Sequence, residues 1–246
     1  MSPAISKTMS STNRFSIASF AGREVPVEIV RNPRARRLTL RADVVRGVVR
    51  VAMPARARIA DADKFVIAHH GWIAARVARW PVPLPFENGS TFPFDGTALS
   101  IDWSPGHPRG VQRSGDRLLI GGPLATIPGR IMRWLRSAAL ADLTPATLNL
   151  ASKLGVLATR VSIRDPASRW GSCASTGAIT YSWRLILAPS SVRQSVIAHE
   201  VVHLVHPNHG RAFWALAESL TDGDLPFARA WLKAHGAALH WVGRPA

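Results

Sequence analysis

The chain has 246 residues, with 31 Lys+Arg against 15 Asp+Glu, a net charge of +16 and a sequence pI near 11.7. A hydrophobic content of 47% with 19% charged residues excludes a disordered tail, since such chains lack the apolar surface to offset ordering entropy. The excess is arginine, because Lys occurs only at Lys7, Lys64, Lys153 and Lys233, and it raises either a nucleic-acid partner or an arginine-rich proteome.

Residues 1–22 are Ser-rich, have neither an apolar signal core nor a convincing cleavage site, and read as a flexible lead-in. Val25, Val27 and Ile29, then Leu38 and Leu40, then Val49, Val51 and Met53 alternate, with breaks at Asn32-Pro33 and Gly47, which predicts three short antiparallel strands. From Asp61, placed as N-cap, the spacing of Phe65, Ala68, Trp72 and Ala75 is helical, until the prolines at 81, 83 and 85 stop it. His69 and His70 fall on different faces of that helix and read as surface residues. Asp95-Gly96 predicts a tight turn before alternating Leu99, Ile101 and Trp103, and Arg117 to Ile120 a returning strand. Ile127 to Leu154 is helical, with Thr144-Pro145 as N-cap and first residue of a second helix or as a kink. Strands are expected at Val161 to Ile163 and Ala178 to Arg184, and a helix from Pro189 to about His206. No repeat is evident.

These elements predict an α+β protein: a lead-in at 1–22, a basic β-rich region with one helix at 23–125, and a mainly helical domain at 126–246. The charge is uneven, with nine Arg and one acid in residues 31–58 against five basic and four acidic residues in 185–246. The arginine-rich stretch lacks interleaved Tyr and Phe, so it supports phosphate attraction without base readout. A single cysteine, Cys173, excludes an intramolecular disulfide framework and fits a reducing compartment; with no apolar run of roughly 18 or more residues, a cytoplasmic protein is expected.

Four of the nine histidines lie within eleven residues, His199 to His209, and the first five residues of this segment are HExxH. Four residues along a helix is a little over one turn, so His199 and His203 project from one side about 40° apart and can share a Zn²⁺. Glu200 lies about 100° round from His199, beside such a metal, where a carboxylate can take a proton from water. Val196, Ile197, Val201, Val202 and Leu204 make the helix buried, and a charged Glu200 there needs a partner or a function. Three residues compete for a third ligand position. Pro207 disfavours continued helix and turns the chain so that His209 can return; His206 would share the face of a continuing helix; Glu218 would imitate glutamate-ligand zincins. The last methionine is Met132, so the downstream Met-turn of metzincins is absent.

Arg169-Trp-Gly-Ser-Cys173, Trp183 to Pro189, the His199 motif, Asn208-His209 and Phe213-Trp214 together resemble the YgjP-like metal-dependent hydrolases, a family related to the SprT-like zinc metalloproteases. The resemblance extends more weakly to Arg36–Arg41, Val49–Pro54 and Trp72. It implies a minimal zincin-like fold with one Zn²⁺ per chain on His199, His203 and His209, Glu200 as general base, and a peptide or protein substrate. Gly210 stands where family members often have Ser. A nucleotide pyrophosphatase has also been proposed within the family, and a non-catalytic polyanion-binding module with a structural metal is a third reading. An edge strand beside the metal is expected near Arg169–Cys173. Arg169 is a candidate for a substrate carboxylate or phosphate, Cys173 a buried small residue, and Phe213, Trp214, Leu216, Leu220, Phe227, Trp231 and Leu232 core under the metal helix.

Overall fold

The computed structural model describes residues 6–9, 13–221 and 225–245, and the chain divides into two units between Pro81 and Val82. Both contain helices and sheets, so the protein is α+β, with N-terminal strands preceding the helices. No helix among the described residues is long and apolar enough to cross a membrane.

The first unit carries β1 (Ser6–Met9), β2 (Asn13–Phe20), β3 (Arg23–Arg31), β4 (Thr39–Asp43) and β5 (Val48–Met53) in the order β1-β2-β3-β5-β4. Part of the expected lead-in, residues 13–20, is therefore strand, while residues 1–5 and 10–12 lie outside the described residues. Ala21 and Gly22 both have positive φ (51° and 75°), which matches the right-handed twist of the hairpin they close. The inner faces of these strands, Val25, Val27, Ile29, Val49, Val51 and Met53, are fully buried as the alternation requires. Direction differs from expectation: β3 pairs parallel with β5, and only β4 pairs antiparallel with it. A period of two places side chains on faces but carries no information about strand sense. The single helix expected from Asp61 is two, α1 (Ile59–Ala68) and α2 (His70–Val77), broken at His69. Asp61 is the third residue of α1 rather than its cap, and its carboxylate accepts from the Arg58 backbone N–H at 3.3 Å.

The second unit opens with β6 (Thr91–Phe94), β7 (Thr97–Trp103), β8 (Gln112–Ser114) and β9 (Arg117–Ile120) in the order β6-β7-β9-β8. Its other sheet is β10 (Arg160–Arg164), β11 (Gly171–Cys173) and β12 (Ala178–Ser182) in the order β10-β12-β11. One connectivity thus occurs in each of the three sheets: a strand, a second that pairs antiparallel with the third, and a third inserted parallel to the first. The hairpins preceding two of them match as well, since Asp95 and Gly96 repeat the paired positive φ of Ala21 and Gly22. The chain therefore repeats a topology that its residues do not advertise.

The division at 81/82, rather than 125/126, follows from packing. Phe92, Phe94, Leu99, Ile101, Leu118 and Ile120 share one core with the helix α3 (Ile127–Lys153). This helix buries Ile127, Ile131, Leu135, Ala139, Leu143, Thr147 and Ala151, a stripe of strict four-residue spacing. The stripe runs through Pro145 without a break, so no second helix begins at Thr144. Burial on both sides of the proline outweighs the roughly 3 kcal/mol that it costs inside a helix.

The remaining helices are α4 (Ser190–Val202), α5 (Arg211–Ser219) and α6 (Leu225–Leu239). Two buried arginines anchor this part. Arg193 of α4 joins Asp142 of α3 at 3.0 Å and Asp95 of the β6–β7 turn at 2.8 Å. Arg184 pairs with Asp165 at 2.8 Å and donates to the carbonyls of Leu239 and Val242 at 2.6 and 3.1 Å. Burial, the largest single influence on Asp165, raises its carboxyl, but the Arg184 hydrogen bonds and charge together hold it below the ordinary 3.8. Because the folded value is the depressed one, this pair stabilises the fold above about pH 4 and the contribution fades as pH falls through the lowered value. Arg184→Met is expected to cost about 3 kcal/mol in urea unfolding at neutral pH, since it strands a carboxylate and two carbonyls. The difference from the parent chain should shrink below pH 4.

Candidate metal centre

Helix α4 carries His199 and Glu200, and it ends at Val202 rather than at His206. His203 is its C-cap, with Leu204 and Val205 N–H groups donating to Val201 and Val202 carbonyls in tighter three-residue turns at 3.0 Å. Pro207 forbids the helical continuation, and the chain doubles back. This turn brings His209 onto the face that His199 and His203 share.

One ring nitrogen from each of His199, His203 and His209 lies within 4.8 Å of the others. The Nε2 atoms of His199 and His209 face each other at 3.1 Å. Two ligands of one tetrahedral zinc, each roughly 2.0–2.1 Å from the ion, are about 3.3 Å apart, so the set fits that metal closely. Nδ1–H of His203 donates to the His206 carbonyl at 3.3 Å, which leaves Nε2 as the free lone pair. His206 thus serves the cluster through its backbone. Neither its ring nor the exposed Glu218 belongs to the cluster among the described residues. His69 and His70 are also outside it; their rings meet the carbonyls of Phe65 and Ser19.

The three imidazoles rest on Phe213, whose ring centroid is 5.0, 4.7 and 4.6 Å from those of His199, His203 and His209. Trp214 stacks on His209 at 5.5 Å. Phe213 is buried, as expected of core, and it is also the floor that fixes the rings; Phe227, expected in the same core, is 53% exposed. Burial, with the neighbouring His203, His209 and Arg229 charges, pushes His199 down to about 4. His203 is lowered too, again mainly by burial. Both therefore stay neutral at pH 7, the state in which imidazole binds a metal.

Glu200 is 5% exposed, and burial pushes its carboxyl up to about 7 against the pull of Arg169. It packs against the edge strand β11: a Cβ built on Gly171 would lie 2.5 Å from its Oε1 and 2.6 Å from its Cγ. Glycine is required there by close approach. Trp170 is held in turn by α6, where a Cβ on Gly236 would meet the indole at 2.7 Å. Cys173 is half-buried, and burial followed by the Glu200 charge raises its thiol, so it is not a poised thiolate. Arg169 is exposed beside Glu200 on the rim of a cavity of about 270 Å³ whose wall includes His199 and Glu200. Arg229 of α6 lines the same cavity. Sequence reading did not single it out, because an exposed arginine on an amphipathic helix carries no motif.

The sequence model of the YgjP-like family, described as a metallopeptidase domain, matches residues 36–235, and the chain belongs to this family. Neither the curated proteins nor the solved structures gave a match. Metal analysis after zinc loading is expected to find about one ion per chain. His209→Ala should weaken zinc affinity by tenfold or more, whereas His206→Ala and Glu218→Ala should leave it unchanged.

Proposed function

We propose that this metallopeptidase is a zinc-dependent hydrolase of peptide bonds, with His199, His203 and His209 as the metal ligands and Glu200 as the general base. The observation that carries the reading is the convergence of three imidazoles beside a carboxylate that the protein buries with no cationic partner in contact among the described residues. Zn²⁺ held by these histidines supplies Lewis acidity, which polarises a carbonyl and acidifies water. Glu200 takes the proton from a water as its oxygen adds to the carbonyl carbon. The same carboxyl then delivers that proton to the nitrogen as the C–N bond breaks, so that a carboxylic acid and an amine leave. Three imidazoles, with no thiolate or second carboxylate in the cluster among the described residues, form a ligand set that would suit zinc.

Substrate alignment rests on two features. β11 is the edge of its sheet, and an extended peptide can add to it as a further strand. Arg169, exposed beside Glu200, is placed to hold a substrate carboxylate.

Glu200→Gln is expected to retain zinc and lose at least about a hundredfold in kcat on a casein or peptide substrate. Full retention of activity would remove the carboxylate from the mechanism. Gly171→Ala gives a finer check. The side chain it meets is the flexible Glu200, so the carboxylate should move while the fold adapts. A loss of roughly tenfold to a hundredfold in kcat, with zinc content and melting temperature nearly unchanged, is the expected result.

A further inference from the structure

The cavity beside the histidines has a divided chemistry. Val196, Leu225, Ala228, Leu232, Trp170 and Trp214 make its interior apolar. Of its other polar side chains, His199 and Glu200 belong to the metal centre, and the Ser195 hydroxyl is already used, since it donates to the Ser191 carbonyl at 3.0 Å. The two guanidinium groups, by contrast, belong to exposed residues, Arg169 and Arg229, which both line the cavity. Arg229 lies over the Trp214 ring at 5.0 Å, and neither arginine has a carboxylate within ion-pair distance among the described residues.

A ligand that suits this cavity is apolar at one end and anionic close by. Size admits an aromatic ring, since an apolar cavity of roughly 150 Å³ holds benzene and this one is about 270 Å³. A nucleobase would find its edge donors and acceptors faced mainly by apolar side chains, with Ser195, His199 and Glu200 committed elsewhere, which disfavours the nucleotide substrate. An acidic side chain would put its charge inside the cavity, away from the arginines. On an amino-acid residue whose own apolar side chain fills the cavity, the one carboxylate available is the α-carboxylate, and that group exists only at a peptide C-terminus.

We propose that the cavity receives the side chain of a C-terminal residue while Arg169 and Arg229 hold its free carboxylate, so that the chain is an exopeptidase releasing large apolar residues from peptide C-termini. This rests on the peptidase reading above. The bond broken is the last peptide bond; water supplies the hydroxyl to the new C-terminus and the proton to the amine of the released residue.

The test uses the zinc-loaded chain and N-acylated tripeptides ending in Phe, Leu, Gly, Asp or Lys as free acids, together with the Phe peptide as its C-terminal amide. Mass spectrometry should show loss of one residue from the Phe and Leu acids, with kcat/KM at least tenfold above the amide and the other three. Arg169→Met and Arg229→Met should each reduce the preference for acid over amide without changing zinc content. A binding readout independent of turnover is calorimetry with 3-phenylpropionate, which should bind several-fold more weakly to both variants. Cleavage of the amide as fast as the acid, cleavage at internal bonds alone, or 3-phenylpropionate binding indifferent to both substitutions would overturn the exopeptidase assignment and leave the peptidase reading standing. Hydrolysis of no peptide, with a nucleoside triphosphate hydrolysed instead, would overturn both.

Discussion

The contact on which the site depends is the close approach of the Glu200 side chain to Gly171, which leaves no room for a β-carbon. It puts a charged group in an environment that disfavours charge, at 5% exposure. An isolated carboxylate at that depth costs several kcal/mol unless it is neutralised or given a cation. The protein supplies neither a hydrogen-bond donor nor a contacting base among the described residues; it supplies three imidazoles that can gather a divalent ion alongside. Burial lowers His199 and His203 and so keeps these two imidazoles unprotonated and ready for that ion. The same desolvation acts on both kinds of group and prepares them for opposite tasks.

Holding this arrangement requires that α4 and β11 stay at close approach, and the fold commits its strongest polar contacts to that end. Arg193 ties α4 to α3 and to the Asp95 turn. Arg184, in the 3₁₀ turn Trp183–Leu187 that follows β12 rather than in the strand expected to reach it, ties the strand that pairs with β11 to the carbonyls of Leu239 and Val242. Trp170 wedges against Gly236 of α6 and so fixes the residue immediately before Gly171. The repeated sheet connectivity contributes as well: inserting the third strand between the first two leaves the second, β11, at an edge facing α4.

Much of the site was legible in the sequence because helical geometry is nearly deterministic over one turn. His199, Glu200 and His203 needed only a period of 3.6 residues, and His209 needed Pro207 to end the helix. What escaped depends on contacts distant along the chain. Alternation marked the strands around Val27 and Val51 but not that they run parallel. Pro145 signals a helix start locally, yet a buried stripe of seven residues overrides it. The boundary at 81/82 is set by which core Phe92 and Leu118 join, which the prolines at 81, 83 and 85 alone do not reveal. Leu232 reads as core by periodicity and is in fact shared between core and cavity, a distinction that depends on what lies opposite it.

The net charge acquires a more specific meaning from this geometry. Residues 1–81 hold 15 basic and 5 acidic residues, a general positive field to which several pairs, such as Arg50 with Glu28, are already committed. In the exopeptidase proposed above two arginines would suffice at the cavity, because an adjoining low-dielectric wall concentrates their field. A surface field attracts any polyanion and falls away within roughly 10 Å in salt, whereas a pair of guanidinium groups at an apolar mouth selects an anion by what it is attached to. Discrimination at this site therefore comes less from the sum of the charges than from the apolar surface that adjoins two of them.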